Sequence, residues 1–159
     1  MCIRDRKYTA SAVGEVNVVK TMKKTKAVIG GEGNGGVIYP ELHYGRDALV
    51  GIVMIMNLLS DRKLSLSELK ETYPKYHIVK SSIKAKSDND VFKYLKNIEK
   101  AYLNEKLDKT DGLKILWDDA WVHIRSSNTE PIIRVIAEAT TTAKAKKIVH
   151  DIFNIINGK

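Results

Sequence analysis

The sequence predicts an α/β unit followed by an α+β unit, on three observations. In the first half, a continuous apolar run leads into a glycine-rich loop and then a long apolar helix. The second half alternates apolar and polar residues in short runs, as strands of a half-buried sheet do. A Tyr73-Pro74 break divides the two patterns, so the predicted units are residues 1–75 and 76–159.

The first unit is predicted to hold three helices and a strand. Residues 17–23 have helical spacing, and residues 27–30 form a continuous apolar run typical of a buried strand. Asp47 is predicted to cap a helix that ends at residue 59 and packs on the sheet containing this strand. A further helix is predicted over 64–72, capped by Ser65 or Ser67. The first helix is predicted to present Val16, Val19 and Met22 on one side.

The second unit is predicted to have the order β-α-β-β-β-α, with two helices on one face of a small antiparallel sheet. The predicted strands are 76–85, 113–117, 121–125 and 132–139. One helix is predicted to start at residues 87–90 and run to about 106, and Thr142 is predicted to cap the last. The predicted inner faces are Val91, Tyr94, Leu95, Ile98 and Leu103 in the first of these helices, and Ala143, Ile148, Ile152, Phe153, Ile155 and Ile156 in the last.

A short polar loop at residues 125–131 reads Arg-Ser-Ser-Asn-Thr-Glu-Pro between two apolar runs. Arg125 supplies a planar fork of charged donors, and Ser127, Asn128 and Thr129 supply neutral donors. These groups on one rim are suited to binding a phosphate dianion. A turn whose polar side chains bond only their own backbone would have the same composition, so both interpretations stay open.

Five of the seven residues 30–36 are glycine, and Gly31 to Gly36 satisfies the pattern G-x-G-x-x-G. A dinucleotide-binding fold is excluded, because Glu32 would repel a pyrophosphate and no helix opens at the last glycine. A P-loop is excluded, because Gly-Lys-Ser/Thr is absent. A carboxylate and an amide at Glu32 and Asn34 suit sugar hydroxyls, although a plain glycine-rich turn also explains the loop.

Both motifs, in this order and about ninety residues apart, resemble the α-D-phosphohexomutases, especially the bacterial phosphoglucosamine and phosphomannomutase branch. Residues 31–35 are similar to the sugar-binding loop of that family's third domain. Residues 125–131 are similar to the phosphate loop of its fourth domain. The segments 44–48 and 111–114 also resemble the family, and the likeness runs from about Val13 to the C-terminus.

The resemblance implies that residues 1–75 are the C-terminal part of the third domain and residues 76–159 the fourth. The fourth domain of the family has a TATA-binding-protein-like α+β fold, which does not imply DNA binding. The resemblance implies binding of sugar hydroxyls by Glu32 and Asn34. It implies binding of phosphate by Arg125, Ser127, Asn128 and Thr129. Further candidates are Ser126, Arg134 and Glu15. Arg134 could equally pair with Glu130 or Glu138, and Glu15 stands where some relatives have histidine.

The family's phosphoserine loop and magnesium loop are both missing from this sequence. The resemblance therefore implies a fragment that binds a hexose phosphate, has no catalytic residue or metal ligand of its own, and is inactive alone. The full-length enzyme would use Mg²⁺ and a hexose bisphosphate intermediate, and the missing N-terminal domains would be the partner of this chain. Residues 1–6 do not resemble the family and are expected to be non-native.

Composition restricts the remaining classes of function. The single cysteine, the absence of a secretory signal and the lack of a membrane-length apolar segment predict a cytoplasmic protein without a membrane partner. The net charge of +8 is shared evenly by the two halves without a basic block, so no nucleic-acid partner is predicted. The alternatives are a stand-alone phosphosugar- or nucleotide-sensing module and a basic RNA- or protein-interaction domain. Trp117, Trp121 and His123 are interpreted as packing residues.

Overall fold

The computed structural model describes residues 7–33, 35–85, 87–127 and 130–158. The chain divides into two compact units, one ending at Pro74 and the other beginning at Lys75. The first combines helices with a short sheet, and the second packs helices on an antiparallel sheet. The predicted fold class, an α/β unit followed by an α+β unit, is therefore confirmed.

The first unit contains helices and one short hairpin. In chain order its elements are α1 (Glu15–Thr25), β1 (Gly30–Gly31), β2 (Val37–Ile38), α2 (Ala48–Arg62) and α3 (Leu66–Glu71). Helix α1 ends at Lys26, which has a left-handed backbone conformation and donates its N–H to the carbonyl of Met22. Val18 and Met22 lie one turn apart and are buried with Ile38. The prediction for Val16 was wrong, because a residue two positions from Val18 faces away from it, and Val16 is 80% exposed.

The buried strand predicted over residues 27–30 was also wrong. Among the described residues of this sheet, only Gly30–Gly31 pairs, with Val37–Ile38 as its antiparallel partner. The backbone N–H of Ala27 still bonds the carbonyl of Met22, so the chain leaves helix α1 through a turn rather than directly as a strand. Val28 and Ile29 follow that turn and are exposed.

Helix α2 begins where the sequence predicted. The Asp47 side chain accepts the N–H of Val50 at 3.0 Å, which makes Asp47 the N-cap. The helix continues three residues beyond the predicted end. One side packs on β2, since a Cβ at Gly51 would lie 3.2 Å from the Val37 side chain. The other side carries four apolar residues at helical spacing, each more than half exposed, here named the apolar stripe: Leu49, Ile52, Val53 and Met56.

Helix α3 begins with a complete capping box. The Ser65 hydroxyl accepts the backbone N–H of Glu68, and the Glu68 carboxylate accepts the backbone N–H of Ser65 at 2.7 Å. The Ser65 hydroxyl and then the Ser65 backbone N–H donate to the Glu68 carboxylate, and these bonds lower the pKa of Glu68. Leu69 on the inner side is buried, so the predicted helix is confirmed with Ser65 as its N-cap.

The second unit is built on a sheet that has, among the described residues, five strands in the order β3-β7-β6-β5-β4, all antiparallel. Its elements are β3 (His77–Lys84), α4 (Asp88–Ala101), β4 (Lys106–Asp108), β5 (Leu113–Leu116), β6 (Ala120–Ser126), β7 (Ile132–Ala139) and α5 (Thr142–Ile156).

Two helix boundaries and the number of strands in this unit differ from the predicted order β-α-β-β-β-α, and strands β3, β5 and β6 differ from their predicted bounds by one residue at one or both ends. Helix α4 stops at Ala101 rather than near residue 106, and Lys106–Asp108 adds a strand that pairs with β5. Three residues are too few to show the alternation typical of a strand, so the sequence pattern did not separate this strand from the preceding helix. Leu103, predicted to face the core, is consequently exposed. The N-cap of α5 is Thr141 rather than Thr142, because the Thr141 hydroxyl accepts the N–H of Lys144.

The core of this unit lies on one face of the sheet. Inward residues of the central strands are fully buried and pack with Ile98 of α4 and Ile152 of α5, so both helices cover the same face, as predicted. The core strand residues are Leu113, Ile115, Val122, Ile124, Ile133, Val135 and Ala137. The alternate residues face the other way and include Lys114, Trp121, His123, Arg125, Arg134 and Glu138.

Candidate substrate-binding loops

The glycine loop, residues 30–36, closes the β1–β2 hairpin. The N–H of Gly35 donates to the carbonyl of Glu32, and the N–H of Glu32 donates to the carbonyl of Gly36, both at 3.2 Å. A Cβ at Gly31 would lie 2.4 Å from the Gly36 carbonyl oxygen, so only glycine fits there. The backbone turn therefore fixes where the Glu32 side chain leaves the loop.

Glu32 is held by neighbours on both carboxylate oxygens. Its Oε1 accepts the backbone N–H of Gly14 at 3.1 Å, and its Oε2 lies 3.7 Å from Nη1 of Arg46. Gly14 has φ +117°, a backbone conformation that side chains with a Cβ rarely adopt. The Glu32 side chain is only 16% exposed, so the residue predicted to bind sugar hydroxyls has a defined orientation.

Arg46 links Glu32 to Glu15. The Arg46 Nε donates to Oε2 of Glu15 at 2.9 Å, and the Arg46 backbone N–H donates to Oε1 of Glu15 at 3.4 Å. We refer to these three residues as the acid–arginine cluster. Arg46 was not among the predicted site residues, and its only signal was its place in the segment 44–48. It also lines an open depression of about 440 Å³ with Gly35, Gly36, Asp47 and Ala48.

Two further groups border this loop. The His43 ring lies 3.1 Å from Asp47, and the hydrogen bonds from the Val50 backbone and from His43 lower the pKa of Asp47. Asn34, the other predicted ligand of sugar hydroxyls, lies outside the described residues. Its role stays a prediction.

The phosphate loop, residues 125–131, connects β6 to β7. The N–H of Ser127 donates to the carbonyl of Ile132 at 2.9 Å, and the carbonyl of Pro131 accepts the N–H of Ala85 at 3.0 Å. Ser126 is exposed at the end of β6. The predicted ligands Asn128 and Thr129 lie outside the described residues and stay predictions.

Arg125 is the most constrained residue of this loop. A Cβ at Gly112, which has φ +70°, would lie 2.4 Å from the Ile124 carbonyl oxygen and 2.9 Å from the Arg125 Cβ, so glycine is needed beside it. In the part of the chain that the structure describes, the Nε of Arg125 is buried and has no hydrogen-bond partner. A buried N–H without an acceptor is costly, and on a charged guanidinium it favours an anion.

Arg134 lies directly opposite Arg125 on the neighbouring strand. Its Nη2 lies 3.3 Å from the Ser127 hydroxyl and 3.3 Å from the Glu130 carboxylate. Of the two acidic partners considered for Arg134, the structure pairs it with Glu130. Glu138 instead accepts the indole N–H of Trp121 at 3.0 Å. Arg125, Arg134 and Ser127 are thus brought together at one end of the sheet.

The aromatic residues near the hairpin have partners within the chain. The Lys114 ammonium lies 4.4 Å from the centre of the Trp121 ring, and Trp117 packs edge-on against Tyr102. The His123 ring is hydrogen-bonded to the carbonyl of Asp111. These contacts agree with packing roles.

The described residues do not fit a magnesium site. Among residues 7–33, 35–85, 87–127 and 130–158, no three histidine, cysteine, aspartate or glutamate side chains are grouped to hold a metal ion. In the same residues, every helix is too short or too polar to span a bilayer.

Comparison with known proteins identifies the family. Residues 3–76 match the family model described as phosphoglucomutase/phosphomannomutase, alpha/beta/alpha domain III, and residues 78–155 match that of the C-terminal domain. The chain belongs to the phosphoglucomutase/phosphomannomutase family. The resemblance inferred from the glycine loop and the phosphate loop is confirmed.

Relatives in this family are about three times longer. A phosphoglucomutase/phosphomannomutase from Thermococcus kodakarensis is 37% identical over 143 residues, which are 89% of this chain and 31% of the relative. A phosphoglucosamine/phosphogalactosamine mutase from Sulfurisphaera tokodaii is 35% identical over 149 residues, 92% of this chain and 33% of the relative. The chain thus spans about a third of the length of these proteins.

A solved structure shows the same fold. The crystal structure of a phosphoglucomutase/phosphomannomutase family protein from Burkholderia thailandensis superposes with a TM-score of 0.74 at 23% identity. The match covers 92% of this chain and 31% of that protein.

Proposed function

We propose that this chain is the substrate-binding C-terminal part of a phosphohexomutase, an enzyme that interconverts hexose 1- and 6-phosphates. The observation that carries the proposal is the buried Nε of Arg125, which has no partner in the described part of the chain and stands opposite a second arginine. Membership of the family supports hexose phosphates as the substrate class, and we propose phosphoglucosamine or phosphomannose as the most specific candidates.

In this proposal the phosphate loop binds the phosphate that is not reacting. Arg125 and Arg134 supply fixed positive charge, and Ser127 supplies a hydroxyl, with Asn128, Thr129 and Ser126 as further donors. Such a set recognises a phosphate dianion without recognising the carbon that bears it. A mutase needs this property, because its substrate and product carry the phosphate on different carbons.

The glycine loop binds the sugar in this proposal. The Glu32 carboxylate accepts hydrogen bonds from ring hydroxyls, and Asn34 both donates and accepts. The orientation imposed by Gly14 and Arg46 supports this role, because a carboxylate held in place loses little freedom when a ligand binds.

All of these roles concern positioning rather than bond making. Phosphoryl transfer would take place on groups in the other two thirds of the length of a full-size relative. We therefore propose that the chain is inactive alone. Because its described residues do not fit a metal site, no step is assigned to a metal here.

The affinity of the chain alone should be weak. Three or four charge-assisted hydrogen bonds contribute roughly 5–10 kcal/mol in total. Association costs at least about 4 kcal/mol in lost translational and rotational freedom. About 1–6 kcal/mol is left, which corresponds to dissociation constants between roughly 0.2 M and roughly 40 μM.

An amide NMR titration with glucosamine 6-phosphate tests the proposal, with inorganic phosphate and glucosamine as controls. We expect shifts confined to residues 125–130 and 31–36, larger for the sugar phosphate than for either control. A well-dispersed spectrum that does not respond to the sugar phosphate would exclude the proposed function. Equal affinity for any polyanion, with a steep dependence on salt, would instead indicate an RNA-binding domain.

A further inference from the structure

Three charged side chains from separate segments meet beside the glycine loop. Glu15 is the first residue of α1, Glu32 lies between β1 and β2, and Arg46 precedes α2. Glu15 accepts hydrogen bonds from both the side chain and the backbone of Arg46, at 2.9 and 3.4 Å. The Nε bond orients the guanidinium and the backbone bond anchors the Arg46 main chain, and Nη1 lies 3.7 Å from Glu32.

The opposite edge of the Glu32 carboxylate is fixed by the backbone. The N–H of Gly14 bonds Oε1 at 3.1 Å, immediately before the helix that carries Glu15. The start of α1 therefore acts on Glu32 twice, directly through Gly14 and indirectly through Glu15 and Arg46. An ionised carboxylate can accept about four hydrogen bonds, so donors that orient it are compatible with bonds from hydroxyls.

The Glu15 carboxylate is engaged by Arg46. Both of its oxygens bond Arg46. A long glutamate side chain loses rotamer freedom when it binds a ligand, and a neighbour that orients it beforehand removes part of that cost. The cluster is thus arranged to prepare Glu32 for a ligand.

We propose that Arg46 is a positioning residue that holds the Glu32 carboxylate in the orientation that accepts sugar hydroxyls, and that Glu15 acts only through Arg46. This inference rests on the proposed function. It assigns Glu15 a role without direct contact with substrate.

The experiment compares dissociation constants for glucosamine 6-phosphate and for methyl phosphate, which has no ring hydroxyls, by NMR titration of the whole chain. The variants are Arg46→Gln, Arg46→Lys, Glu15→Gln and the double variant of Glu15→Gln with Arg46→Gln. Arg62→Gln, an exposed arginine at the end of α2, is the matched control. The dispersion of the amide signals of residues 7–74 reports whether the first unit remains folded.

We expect Arg46→Gln to weaken binding of the sugar phosphate about five- to tenfold, within the range for coupled neighbouring residues, without changing binding of methyl phosphate. Arg46→Lys should fall between wild type and Arg46→Gln, because an ammonium is a point donor that lacks the fork. Glu15→Gln should weaken binding less, and the double variant should equal Arg46→Gln. Arg62→Gln should behave as wild type.

Two results would overturn the inference. One is an unchanged preference for the sugar phosphate in Arg46→Gln. The other is a double variant clearly weaker than Arg46→Gln, since Glu15 would then contact the ligand itself. If Arg46→Gln unfolds the first unit, an unchanged preference in Arg46→Lys and Glu15→Gln decides against it. A wild-type chain that does not prefer the sugar phosphate over methyl phosphate would instead reject the proposed function.

Discussion

Arg125 and Arg134 are cross-strand neighbours, paired in register across β6 and β7 where the phosphate loop begins. Like charges directly opposite each other destabilise an antiparallel pair. The positive charge of Arg134 is paired with the Glu130 carboxylate. The Nε of Arg125, in contrast, is buried without a hydrogen-bond partner in the described part of the chain. The pair therefore favours an added anion, and we predict that Arg125 is its main ligand.

For this reason Arg125→Gln should remove most of the phosphate binding. Losing a charge-assisted hydrogen bond costs roughly 1.5–3 kcal/mol, which is at least about a tenfold loss of affinity. Arg134→Gln should cost less, because that side chain is already bonded to Ser127 and Glu130. Phosphate titration followed by NMR measures both. Equal effects of the two variants would contradict the division of roles.

Substitutions at Gly31 and Gly33 test whether binding depends on the shape of the glycine loop or on its flexibility. A Cβ at Gly31 would meet the Gly36 carbonyl oxygen at 2.4 Å, whereas a Cβ at Gly33 would have nothing within 4 Å. Gly31→Ala should open the β1–β2 hairpin, displace Glu32 and abolish the preference for the sugar phosphate. Gly33→Ala should keep it, with stability within about 0.5 kcal/mol of wild type. Loss of the preference in both variants would show that flexibility matters more than shape.

The glycine beside Arg125 should be equally intolerant of substitution. Gly112→Ala adds backbone strain to a close contact with the Ile124 carbonyl, so the second unit should lose about 1–3 kcal/mol of unfolding free energy. Gly158→Ala is the matched control, because Gly158 has nearly the same φ, +71°, and an open surrounding. Thermal unfolding followed by tryptophan fluorescence measures the difference. A comparable loss at Gly158 would mean that φ alone, and not the contact, requires glycine at 112.

Lowering the pH should reduce the stability of the second unit, because Asp108 becomes protonated. The hydrogen bonds from Thr110 lower the pKa of Asp108 in the folded chain. A folded pKa below the unfolded value stabilises the fold above the unfolded pKa, and this contribution disappears as the pH falls through the folded pKa. Asp108→Asn should therefore lower stability at neutral pH and flatten its acid dependence between about pH 5 and the folded pKa.

Urea unfolding at several pH values, followed by tryptophan fluorescence, measures this dependence. Asp118→Asn is the control, because it removes a carboxylate from the next turn and leaves the bond between Asp108 and Thr110 in place. An Asp108→Asn chain that loses stability in acid as steeply as wild type would show that other groups control the effect. One such group is Asp119, whose pKa is lowered by the Lys144 side chain.

The sequence predicted elements whose signal is local. The bounds of β7 agree because Ile132–Ala139 is rich in β-branched residues and begins directly after Pro131. Asp47 and Ser65 are N-caps because their bonds reach three residues along the chain. Strand β4 was not predicted, because three residues are too few to show a hydrophobic periodicity. The extent of β1 could not be predicted, since pairing depends on residues elsewhere in the chain.

The residues of the candidate site also differ in whether a local sequence signal indicates them. Residue type and loop context select Glu32 and Arg125 as candidates, and their binding roles stay predictions. Arg46 was missed, because its contact with Glu15 joins residues 31 positions apart and no local pattern indicates it. The partner of Arg134 stayed open between Glu130 and Glu138, which are equally spaced from it in sequence. Only the loop geometry and the bond from Trp121 to Glu138 distinguish them.

The apolar stripe of α2 bears on how long such a chain would persist in a cell. Chaperones and proteases in a cell act on protein molecules that expose apolar segments to water. Leu49, Ile52, Val53 and Met56 present such a segment on a helix that is otherwise intact. In a chain that spans about a third of its relatives' length, such a stripe favours aggregation or degradation until another apolar surface covers it.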